Sequence, residues 1–163
     1  MFEKFGEFGS YKKINELAEN LKTEGDKKSI RVLAKENGLD GDIAEAFIEG
    51  DIGFLCDPVM AAMGKIEVEA AELKPQEIMA DWVEYLRGQC FEDEAMALAV
   101  RKEGKTLKGM VAGILKWSFA HQITVDKEII KEAKISASRV TIGEPGMAKA
   151  KELIREYYLG GGK

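Results

Sequence analysis

An all-α fold is expected from this chain. Almost every segment carries apolar residues three and four positions apart, each such segment is bounded by a capping residue or by a Gly or Pro stop, and the connections are short. The exception is Ser138 to Ile142, where β-branched and polar residues take turns. That leaves room for one short extended or hairpin element near residues 136–143.

Ser10 precedes a first helix with Tyr11, Ile14, Leu17, Ala18 and Leu21 on one side, and Gly25 stops it. Asp26 caps a second, carrying Ile30, Leu33 and Ala34 and ending at Asn37-Gly38. A third, from about Gly41 to Glu49, offers Ile43, Ala44, Phe47 and Ile48. Asp57-Pro58 starts a fourth, because Asp caps the first turn and Pro lacks an N–H only where none is needed. It runs to about Leu73, before Lys74-Pro75. A fifth helix presents Ile78, Trp82, Val83 and Leu86 up to Gly88, and a sixth covers about Glu92 to Lys102. Thr106 caps a seventh, whose Leu107, Met110, Val111, Ile114, Leu115 and Phe119 form a wide stripe expected at the centre of the core. Asp126 to Lys134 reads as a short helix, and Pro145 opens the last, with Met147, Ala150, Leu153, Ile154 and Tyr157 on one side. An acidic helical part over residues 1–74 and a second helical part over 75–159 are expected to form one compact unit, followed by a flexible tail over 160–163.

With 163 residues, 45% hydrophobic and 33% charged, at a mean hydropathy of −0.22, the composition is that of a globular protein. No apolar run approaches the ~20 residues that a bilayer crossing needs. The start, Met1 to Phe5, mixes charge with aromatics and has no signal-peptide pattern, so a cytoplasmic location and no membrane association are expected. Cys56 and Cys90 lie at no metal-ligand spacing and are expected to be reduced thiols.

The formal net charge of −5 conceals a division. Residues 1–95 hold 11 Lys/Arg and 22 Asp/Glu, whereas residues 96–163 hold 13 and 7. Glu36, Asp40, Asp42, Glu45, Glu49, Asp51 and Asp57 follow one another with no cation between Lys35 and Lys65. Such a surface repels phosphate backbones and attracts basic protein surfaces. Asp40, Asp42, Glu45, Glu49, Asp51 and Asp57 are therefore the candidate partner-binding residues, with a purely solubilising role as the competing reading.

No catalytic motif emerges, and neither an enzyme, a cofactor nor a metal site is expected. His121 is the one histidine, and Ser118 beside it has no elbow or oxyanion hole. Gly104-Lys105-Thr106 lacks the earlier glycine and the strand of a phosphate loop. Lys102, Lys105, Lys108 and Lys116 remain as a candidate anion or nucleic-acid contact. Residues 30–47 fit a helix-turn-helix, but the would-be recognition helix offers Asp42, Glu45 and Glu49 and no cation, so duplex DNA readout through it is not expected. Glu67, Glu69, Glu72, Asp81 and Glu84 read as a solvated helix face. Of Tyr157 and Tyr158 one must point outward, as a candidate binding anchor.

The stretch Glu92-Asp93-Glu94-Ala95, then Lys102-Glu103-Gly104-Lys105-Thr106-Leu107-Lys108-Gly109-Met110 with an amphipathic helix behind it, resembles the PcfK-like family over at most Glu92 to Tyr158. That family is carried by conjugative elements of gut Firmicutes, and some members are anti-CRISPR inhibitors of the type II RNA-guided nuclease. The resemblance implies a mobile-element accessory protein that acts by protein–protein binding, with a CRISPR effector nuclease as a candidate partner. The alternative is a nucleic-acid-associated accessory factor that uses the four lysines.

Overall fold

The computed structural model describes residues 3–160, and its main element is the helix. In order along the chain come α1 (Tyr11–Thr23), α2 (Lys27–Glu36), α3 (Gly41–Glu49), α4 (Pro58–Leu73), α5 (Ile78–Glu92), α6 (Glu94–Arg101), α7 (Leu107–Ala120), β1 (Ile123–Thr124), α8 (Lys127–Glu132), β2 (Thr141–Ile142) and α9 (Met147–Leu159). The fold is thus mainly all-α, as expected. The three caps read from the sequence are made, and Ser10, which precedes the first helix, adds a fourth: Ser10, Asp26, Asp57 and Thr106 accept from the N–H of Lys13, Ser29, Met60 and Gly109 at 3.3, 3.0, 2.7 and 3.0 Å.

Three local expectations are corrected. Helix α5 runs through Gly88 to Glu92, because Gly88 stands on its exposed side and leaves the backbone ladder intact. The following helix starts at Glu94, where Asp93 accepts from Ala95 N–H at 3.0 Å. The extended piece is real but shorter than drawn, and its partner lies upstream: Thr141 and Ile142 pair antiparallel with Thr124 and Ile123. Gly143 seats this hairpin on the end of α7, since a Cβ there would lie 2.5 Å from the carbonyl oxygen of Ser118. Residues 161–163, expected to be flexible, lie outside the described residues.

Two apolar clusters form the interior. One gathers Ile14, Leu33, Phe47 and Leu55 from α1 to α3 and the loop after them; the other gathers Ile66, Leu86, Met96, Met110 and Ile154 from α4 to α7 and α9. Helix α4 serves both, with Ala61 in the first and Ala62 and Ile66 in the second. Where α4 crosses the α2–α3 turn the backbones meet at Gly38 and Gly64, a contact with room for hydrogen only.

The α7 stripe is narrower than its composition suggests. Leu107, Met110 and Ile114 are buried against α4 and α9, but Leu115 is 56% and Phe119 73% exposed. One residue along a helix is 100° of rotation, so Leu115 has turned away from the face that Ile114 buries. Ile114→Ala should therefore cost about 2 to 5 kcal/mol, and Leu115→Ala under about 0.5 kcal/mol. Urea melts of the two variants check this ordering, which equal losses would contradict.

A chain of buried polar groups joins the two clusters to the N-terminal arm. Arg101, 2% exposed, donates to the carbonyls of Phe8 at 2.9 Å and Ala61 at 3.2 Å and to the side-chain oxygen of Asn37. Lys65, 1% exposed, lies 2.5 Å from Glu7 and 3.8 Å from Glu69. Glu69 in turn accepts from Leu107 N–H at 2.6 Å, at the start of α7. The expectation that Glu69 belongs to a solvated face is corrected: burial pushes its carboxyl up, against the Leu107 N–H and Lys65, which pull it down.

Candidate functional site

The acidic run lies along α3 and its flanking loops, and the fold divides its carboxylates into two groups. Four of them serve the fold. Glu36 accepts from the N–H groups of Lys4 at 2.6 Å and Phe5 at 3.1 Å and so pins the N-terminal arm. Asp40 caps α3 through Asp42 N–H at 2.9 Å, and Asp57 caps α4. Glu45 grips Arg31 across the α2–α3 hairpin with bonds of 2.5 and 2.9 Å. The Arg31 guanidinium holds the Glu45 carboxyl below its ordinary value. These four have limited capacity for a partner.

Asp42, Glu49 and Asp51 form the second group. All three are exposed, and no side chain or backbone donor pairs with their carboxylates among the described residues. Asp42 also sits in the first turn of α3, where a negative charge meets the positive end of the helix. Lys22, whose Nζ lies 4.0 Å from the Cβ position of Gly50 between Glu49 and Asp51, is taken: it donates to the carbonyl of Phe47 at 2.7 Å and stands 4.5 Å from the centre of the Phe47 ring.

In the loop that follows Asp51 the structure adds residues that the sequence analysis did not single out. Phe54, 55% exposed, lines a shallow cleft with Gly53 and with Lys12, Asn15, Glu16 and Glu19 of α1. Its loop is held by Asn15, whose Nδ2 donates to Cys56 O at 2.7 Å and whose Oδ1 accepts from Leu55 N–H at 3.0 Å and Cys56 N–H at 2.9 Å. Leu55 and Cys56 are fully buried, so the loop is anchored on one side while Phe54 stands out. An aromatic ring presented on a fixed backbone among carboxylates is a ready contact for a basic, partly apolar surface. The signal was in the run Ile52-Gly53-Phe54, which reads as core when only its hydrophobicity is counted.

The four lysines do not form one patch of available cations. Lys105 donates to Tyr157 O at 2.5 Å and lies 4.7 Å from the Tyr157 ring centre, and Lys108 pairs with Glu72 at 3.3 Å. Lys102 and Lys116 are exposed. Tyr157 is half-buried and accepts from Thr106 N–H at 3.0 Å, while Tyr158 is buried, so neither is the outward anchor that was expected. Ser118 donates to Ile114 O at 3.0 Å, and His121 stacks on Trp117 with its Nδ1 2.8 Å from Trp117 O. These two side chains are not bonded to each other. Glu67 and Glu84 pair with Arg87 at 2.7 and 3.1 Å. Among the described residues no group of three His, Cys, Asp or Glu is placed to hold a metal ion, and no helix is long and apolar enough to cross a membrane.

No protein-family model matches the sequence, and neither a curated protein nor a solved structure matches it significantly.

Proposed function

We propose that the chain is a non-enzymatic, cytoplasmic accessory protein of a mobile element that docks on a basic protein surface through Asp42, Glu49, Asp51 and Phe54. The observation that carries this reading is the division of the acidic run. Carboxylates that only solubilise need no particular neighbour; here those of Asp42, Glu49 and Asp51 make no hydrogen bond or ion pair among the described residues, and the chain runs from Asp51 directly into the pinned loop that presents Phe54. The resemblance read from the sequence between Glu92 and Tyr158 to PcfK-like proteins, some of which inhibit the type II RNA-guided nuclease, is what makes that enzyme the sharpest candidate partner. Its DNA-binding channel must be basic to hold nucleic acid, and a negative protein surface can occupy the same field. The nucleic-acid alternative is less well supported, because Lys105 and Lys108 are already engaged within the fold.

A target-DNA cleavage assay with that nuclease tests the proposal. The wild-type chain should inhibit cleavage, and the triple variant Asp42→Asn, Glu49→Gln, Asp51→Asn should need about 10-fold more protein for the same inhibition. Phe54→Ala should weaken it independently by about 10-fold, the scale of one interface anchor. Lys102→Gln with Lys116→Gln should change nothing. Loss of inhibition in the lysine variant alone would transfer the function to the nucleic-acid reading.

A further inference from the structure

A second surface lies on the opposite part of the sequence and has a different character. Eleven large apolar side chains are exposed among the described residues, and six of them fall within residues 115–142: Leu115, Phe119, Ile123, Ile129, Ile135 and Ile142. Single exposed apolar residues are ordinary; a concentration is not. Leu115 and Phe119 are four apart on the outer side of α7 and so are neighbours. Ile123 and Ile142 are directly opposed in the hairpin seated on the end of that helix, and both are more than half exposed.

Charge is also missing where it would be expected. Residues 109–125 contain one formally charged side chain, Lys116, in a chain that is 33% charged. The centre of a protein interface shows this depletion of charge together with aromatic and aliphatic enrichment. Nucleic acid, an anionic membrane or an acidic protein would each require several unbalanced cations here; α7 and β1 offer one, and the four in the segment that joins the strands, Lys127, Lys131, Lys134 and Arg139, stand with Asp126, Glu128 and Glu132.

From these observations we infer that the outer face of α7 and the β1–β2 hairpin form the interface of a two-fold symmetric dimer of this chain. The four side chains Leu115, Phe119, Ile123 and Ile142 supply on the order of 500 Å² of apolar surface per copy. Exposed Ala112 and the stem of Lys116 adjoin it on α7, which brings the two copies together above the ~1,000 Å² in total that a specific interface must clear. A symmetric contact buries the same patch on both copies, so one helix face satisfies two molecules and the assembly closes without leaving an open end. Within α7 and β1 the like charges brought together are the two Lys116 ammonium groups, whose long stems carry them to the rim.

Sedimentation velocity of the full chain, from low micromolar to several hundred micromolar, tests this inference. The wild type should run as a species of twice 18.0 kDa at the upper concentrations, and the dimer should persist at about 1 M salt, where charge contacts are screened. Phe119→Glu and Leu115→Glu should each raise the dimer dissociation constant at least 100-fold without lowering the unfolding midpoint of the monomer, since both side chains are already in water there. Phe91→Glu, at a 68% exposed position on α5, should leave the dimer intact. A monomer at every concentration, a dimer that survives both glutamates, or one that dissociates in high salt would overturn the inference. None of these outcomes bears on the acidic surface, whose own assay stands separately.

Discussion

Gly64→Ala is expected to cost about 3 kcal/mol or more, because there is no space for the added methyl. A Cβ at Gly64 would lie 2.0 Å from the carbonyl oxygen of Asn37, and a Cβ at Gly38 would lie 2.2 Å from the carbonyl oxygen of Gly64. Both obstacles are backbone atoms, which cannot swing aside as a long side chain can. Relief requires α4 to move away from the α2–α3 turn, and that movement would pull Asn37 from Arg101. Gly38→Ala should be worse, because its φ of +67° adds the strain of a left-handed backbone to the overlap. Gly88→Ala supplies the control: nothing lies within 4 Å of a Cβ there, and within the helix it should stabilise by about 0.5 to 1 kcal/mol. Denaturant melts of the three variants decide the matter, and a Gly64→Ala loss below about 1 kcal/mol would mean that the crossing is looser than described.

Arg101→Met is expected to cost about 3 to 5 kcal/mol, the scale of breaking a buried charged network from one side. The substitution keeps most of the apolar stem and removes the donors that Phe8 O, Ala61 O and the Asn37 side chain receive. Each acceptor left dry and unpaired costs on the order of 1 to 3 kcal/mol. It also removes the cation whose charge offsets Glu7 and Glu69. Beyond the melt, hydrogen exchange should report the N-terminal arm opening ahead of α2 and α4, since Arg101 binds Phe8 directly. A stable variant with a protected arm would contradict the role assigned to this side chain.

The features legible in the sequence are those made by neighbours along the chain. Caps at Ser10, Asp26, Asp57 and Thr106 involve residues three apart, and helix periods follow from the same spacing. What escaped was set by distant contacts. Arg101 is buried by a carbonyl 93 positions away, and nothing local to Ala99-Val100-Arg101 announces it. Glu69 looked like one more helix-surface carboxylate until the start of α7 was placed against it. Apolar periodicity marked α7 as a core helix but not how much of its face the neighbours would cover, so Leu115 and Phe119 were assigned inward.

The candidate site divides in the same way. Asp40 and Asp57 as caps were readable from Asp-Gly and Asp-Pro ahead of helices, whereas the Arg31–Glu45 pair joins residues 14 apart across a turn. The placing of Glu16 and Glu19 beside Phe54 depends on how α1 packs on the loop before α4, which no local pattern encodes. The acidic run was visible as a whole; which of its members remain available was not.

The central claim is that three unengaged carboxylates steer this chain onto a basic protein surface. Stopped-flow association with the type II RNA-guided nuclease, measured from about 0.05 M to 1 M salt, tests it most directly. The wild-type rate should fall steeply as the Debye length shrinks from about 14 Å to 3 Å, and at low salt it should exceed that of the Asp42→Asn, Glu49→Gln, Asp51→Asn variant by about 10-fold, the two rates converging at high salt. Equal rates for the two proteins at low salt, or a wild-type rate indifferent to salt, would contradict the account.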